Sequence, residues 1–122
     1  MTTDIYLDFA TESTPKVIFA KQGDSDRSIM IHPLVRGTLM TWVSGMTAEL
    51  HIHGADDSAV TISGTIGKSN GVVTVAADLS TNALSAPGMA AAECSIECDS
   101  KILTSETFYI NIRPSYGEGD IR

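Results

Sequence analysis

The chain has 122 residues, enough for one core, and 43% of them are hydrophobic, which argues against intrinsic disorder. A net charge of −7 and an isoelectric point near 4.7 disfavour nucleic-acid backbones and anionic membranes as partners, and no basic run offsets that balance. No apolar run approaches the roughly 18 residues of a spanning helix, and the start MTTDIYLDFA lacks the basic head and apolar centre of a signal peptide, so synthesis in the cytosol is expected.

Period-two alternation dominates from the start. Ile5, Leu7 and Phe9 alternate with Asp4, Tyr6 and Asp8. After a break over Thr11–Pro15 comes the short run Val17–Ala20, and then Ser28–Leu34, where Pro33 suggests a bulge or an edge position. The clearest alternation sets Met46, Ala48, Leu50 and Ile52 against Thr47, Glu49, His51 and His53. Gly54–Ser58 (GADDS) turns the chain into a strand carrying Val60, Ile62 and Ile66 that Gly64 interrupts. Asn70-Gly71 predicts a tight hairpin into Val72–Leu79. Leu79–Gly88 (LSTNALSAPG) predicts one helical turn ended by Pro87-Gly88. The next strand places Ala90, Ala92, Cys94 and Ile96 on one face, Asp99–Lys101 turns, and Ile102–Ile112 closes the domain with Phe108, Ile110 and Ile112.

This pattern predicts an all-β fold, an Ig-like antiparallel β-sandwich of about seven or eight strands over residues 1–115, followed by a polar, flexible tail over 116–122. The expected core contains Ile5, Leu7, Leu50, Ile52, Val60, Ile62, Ile96, Phe108 and Ile110. The immunoglobulin pairing of cysteines around a tryptophan is missing, because Trp42 stands alone ahead of Cys94 and Cys98. An extended strand would put those two cysteines roughly 13 Å apart, beyond the ~7 Å reach of a disulfide, so both are expected to be reduced.

Candidate chemistry is sparse. Glu49, His51 and His53 point the same way along one strand, and imidazole with carboxylate suits zinc, but the spacing supplies no further ligand. The plainer reading is a polar solvent face, and His32 reads as a surface residue or a satisfied polar group. Asp24 and Asp26 resemble the start of a calcium loop, yet the glycine precedes the acids and the later ligands are missing; Asp56-Asp57 reads as an ordinary turn. There is no Gly-x-Ser-x-Gly elbow, no cysteine beside a histidine, and no glycine-rich loop between strand and helix. No catalytic, cofactor or metal residue is therefore assigned, and no enzyme activity is expected. A carbohydrate- or ligand-binding module is the alternative, with Trp42, Tyr6, Tyr109 and Tyr116 as the aromatic candidates for stacking.

The stretch KQGDSDR, residues 21–27, concentrates charge between two apolar runs. Gly23 permits a positive φ and Asp24 accepts hydrogen bonds from nearby amides, so the segment predicts a tight connection. An early alternating strand, this Lys-Gln-Gly-Asp block and the Arg-containing strand after it resemble the N-terminal domain of phage baseplate upper proteins. GMTAELHIHGADDSAVTISGTI, NGVVTVAADLSTNALSAPG and ILTSETFYINIRPS are similar to that family's later units, so that the resemblance covers residues 3–115. It implies an Ig-like domain that attaches a tail-tip component to neighbouring phage structural proteins, in several copies, within the virion tail or baseplate. In that context Lys21, Gln22, Asp24 and Arg27 are the expected assembly contacts. The family's domain often opens a longer chain, and this sequence, ending at Arg122, fits either a minimal member or an isolated domain.

Overall fold

Alternating apolar residues bury one side of each strand, and the connections decide how the strands meet. The computed structural model describes residues 1–115 and is all-β. Its strands are β1 (Thr2–Asp8), β2 (Val17–Lys21), β3 (Arg27–Val35), β4 (Thr38–Leu39), β5 (Thr47–His53), β6 (Ala59–Ser69), β7 (Val72–Leu79), β8 (Gly88–Cys98), β9 (Lys101–Thr104) and β10 (Phe108–Arg113). Hydrogen bonding follows the order β1-β3-β7-β6-β5-β8-β10-β2, with β4 added to β3 and β9 to β8. The path curls around one core until it is nearly barrel-shaped, and β1 and β2 are its two free ends.

Two expectations about the sheet as a whole are corrected. The sheet is mixed rather than antiparallel, because β1 lies parallel to β3 and β2 parallel to β10. Parallel neighbours need a crossover, and β2 provides one: the chain leaves β1, adds β2 to the far end of the path, and returns as β3. Alternation reports which face a residue occupies and carries no information on strand direction. The described residues also form ten strands rather than seven or eight. The short β4 was not foreseen, and the expected strand Ile102–Ile112 is split into β9 and β10. The break falls at Ser105, which takes a strand's place against Cys94: its amide donates to the Cys94 carbonyl at 2.8 Å and its Oγ accepts the Cys94 amide at 2.9 Å. The expected tail, 116–122, lies outside the described residues.

Pro33 is neither an edge residue nor a bulge. It is buried in β3, opposite Leu7, at the point where pairing to β7 has ended, so its missing N–H costs no ladder bond; its carbonyl accepts the Met40 amide. Gly64 does not interrupt β6. It marks where the strand changes partners, with Ala59–Gly64 on β5 and Thr65–Ser69 on β7. A Cβ at residue 64 would lie 2.6 Å from Val75 Cγ1, so the bend requires a glycine.

Three two-residue hairpins have both central residues at positive φ: Arg36-Gly37, Asn70-Gly71 and Asp99-Ser100. These are the primed turns that match strand twist. The expected helical turn is present in the Leu79–Gly88 link, where the Leu84 amide lies 3.2 Å from the carbonyls of Ser80 and Thr81. Of the expected core residues, Ile5, Leu7, Leu50, Ile52, Ile96, Phe108 and Ile110 are buried; Val60 and Ile62 are half-buried and pack against that cluster.

Candidate assembly surface

The KQGDSDR segment is a closed turn. The Asp24 carboxylate accepts the Lys21 amide at 3.0 Å and Arg27 Nε at 2.8 Å, while the Asp24 amide donates to the Lys21 carbonyl at 3.1 Å. Arg27 beside it, and the Lys21 amide, hold the Asp24 carboxyl below its ordinary value. Gly23, at φ 76°, turns its amide to the Leu84 carbonyl. Gln22 joins the turn to two further segments, donating from its amide to the Arg113 carbonyl and from Nε2 to the Ser85 carbonyl. Of the four expected contact residues, Asp24 and Arg27 are thus engaged with each other, Gln22 ties down the 80–85 link, and Lys21 is the exposed one.

The other end of the open side is organised by Asp8 and Glu106. Asp8 is buried, and its carboxylate accepts four amides: Ala10, Thr11, Arg36 and Gly37, at 2.8 to 3.1 Å. The Ala10 amide leads in holding its pKa far below the usual carboxylate range; burial opposes this and the other three amides add to it. Glu106 Oε2 accepts the Asp8 amide and Lys16 Nζ, and Oε1 accepts the amide and hydroxyl of Ser13. Burial works to raise the Glu106 pKa, but these donors outweigh it and the net direction is down.

The polar strand residues are held apart. Glu49, His51 and His53 share the outer face of β5, yet His51 lies 3.0 Å from Ser95 Oγ and 3.4 Å from Thr61 Oγ1, and His53 leans on Asp57. No group of three or more metal-ligating side chains comes together among the described residues. His32 is a satisfied polar group, the second of its two expected readings: it stacks on Tyr6 at 4.5 Å between centroids and donates to Asp4 at 3.0 Å. Asp56 closes its own turn with Ser58. Cys94 and Cys98 are both free; Cys94 is buried, and burial pushes its pKa up to about 12.

The aromatic candidates differ in how far they are engaged, and Tyr6 stays 49% exposed. Trp42 packs against the core with Lys68 Nζ 4.5 Å from its ring centroid, Tyr6 carries His32, and Tyr109 is half-buried; Tyr116 lies outside the described residues. What the surface does present is apolar. Val17 and Phe19 on β2, Met89 on β8, and Ile102 and Leu103 on β9 are all exposed. Sequence reasoning missed these residues, because an alternating strand labels its two faces without saying which one the fold leaves uncovered.

No family model matches the chain, and no curated protein matches it. Solved structures do match. One is the N-terminal domain of phage TP901-1 ORF48, with a TM-score of 0.65 and 15% sequence identity over 93% of this chain and 99% of that one. The likeness is one of fold along nearly the full length of both.

Proposed function

We propose that this protein is a non-enzymatic structural component of a phage tail baseplate or a related virion part, acting through protein–protein contacts. The observation that carries the reading is the shared fold with a domain of a phage protein, matched almost end to end. Phe19 and Met89, both exposed, lie level with each other on either side of Asn111 and supply a physical means of association. Other phage structural proteins are the expected partners, with Lys21 as the member of the charged turn free to meet them. The test is to purify intact particles and locate this chain by mass spectrometry and cryo-electron microscopy. It should appear in several copies at the tail tip; particles lacking it would overturn the reading.

A further inference from the structure

We propose that β1 and β2 together form a docking surface for a second copy of this chain, through reciprocal antiparallel pairing of each strand with the other strand of the second copy. This deepens the structural reading above and rests on it for context, while its geometry stands on the two free ends of the sheet.

The unpaired backbone groups can be identified. The amide and carbonyl of Asp8 both meet Glu106, so the even-numbered peptide groups of β1 face away from β3. On β2 the Lys16 carbonyl and the Gln22 amide meet β10, so there the odd-numbered groups face outward. Asp24 takes up those of Lys21. Among the described residues, Asp4 and Tyr6 on β1, and Val17 and Phe19 on β2, are left with outward-facing peptide groups in mid-strand.

Three of the four side chains at these positions are uncharged and do not blunt the edges. Phe19 is 59% exposed, Tyr6 49% and Val17 44%, and neither strand contains a proline. Charge then selects the pairing. Lys16 and Lys21 bracket β2, whereas β1 carries Asp4. Antiparallel pairing of β2 with a second β2 through Val17 and Phe19 would set Lys21 against Pro15 and gain no charge pair, while pairing with β1 places Lys21 diagonal to Asp4.

The two strands run side by side in opposite directions. At one end Glu106 Oε2 reaches both the Asp8 amide and Lys16; at the other the turn after Lys21 meets Met1 through Asp26 and Arg27. A two-fold axis along the strands therefore brings β1 of each copy beside β2 of the other, antiparallel at both contacts. In the register that uses all four free positions, Val17 faces Tyr6 of the second copy and Phe19 faces Asp4. Lys21 then lies diagonal to that Asp4 and Phe19 diagonal to that Tyr6, within reach of long side chains. Such an interface is self-complementary and closes as a dimer.

Sedimentation equilibrium of the full chain from micromolar to millimolar concentration should show a monomer–dimer equilibrium. Phe19→Lys should be monomeric throughout with an unchanged melting curve, because that side chain is exposed in the monomer. Asp4→Lys or Lys21→Asp should each weaken the dimer about tenfold, and the two combined in one chain should restore it. In a Cys98→Ser background, Tyr6→Cys and Val17→Cys variants mixed and oxidised should cross-link to each other and not to themselves. The facing Cα atoms would be about 5.5 Å apart, within disulfide reach. A monomer at every concentration, a Phe19→Lys variant that still dimerises, or like-with-like cross-linking would overturn the proposal. None of these results would remove the chain from the particle, which microscopy decides separately.

Discussion

The Asp8 amide donates to Glu106 Oε2 at 2.8 Å, and the Glu106 amide donates back to the Asp8 carbonyl at 2.9 Å. These residues belong to opposite ends of the chain. Together they fasten the end of β1 to the segment entering β10, while the Asp8 carboxylate fixes the β3–β4 hairpin.

Glu106→Ala should cost about 2–3 kcal/mol, because it leaves the part-buried Asp8 amide without its acceptor. Glu106→Gln, which retains an acceptor oxygen, should cost less. Urea unfolding of the three proteins checks the order, and equal midpoints for Ala and wild type would remove the fastening role.

Asp8, Asp24 and Glu106 are all shifted below their ordinary values of 3.8, 3.8 and 4.5. A carboxyl with a depressed folded pKa stabilises the fold while ionised, and the contribution is lost as pH falls through the folded value. Stability should therefore hold above about pH 5 and decline progressively below pH 4. Thermal melts between pH 2 and pH 7 test this, and a flat profile would contradict the carboxylate cradles.

Gly64→Ala should destabilise by about 1–3 kcal/mol, since the added methyl meets the buried, stiff Val75 side chain at the bend of β6. Combined with Val75→Ala, the loss should be smaller than the sum of the two single losses, because the second change makes room for the first. Strict additivity would show that Val75 is not the obstacle.

Leu50→Ala should cost about 2–5 kcal/mol at a site with no solvent exposure. A variant as stable as wild type would mean that Leu50 lies outside the packed core.

Replacing Asp24 and Arg27 together should cost the isolated domain only about 1 kcal/mol, because the pair is partly exposed and closes a local turn. Incorporation into particles is the second readout. Normal incorporation would leave the turn with a purely structural role and Lys21 as the remaining candidate contact.

Side-chain alternation and turn residues are enough to read a β protein, most of its core and several of its turns. Those features are local: Ile5, Leu7, Leu50, Ile52 and Phe108 are buried because alternation puts them on an apolar face, and Asn70-Gly71 turns because both residues accept positive φ. Tertiary structure alone decided strand direction, the change of partners at Gly64, the burial of Pro33, and the capture of Asp8 by amides from two separate loops. It also decided the candidate surface. Val17 and Phe19 alternate with buried Ile18 and Ala20 like any half-buried strand, and they are exposed because nothing among the described residues covers the outer face of β2. Pairing between strands far apart in sequence depends on which backbone edges meet, and side-chain alternation along a single strand is indifferent to that choice.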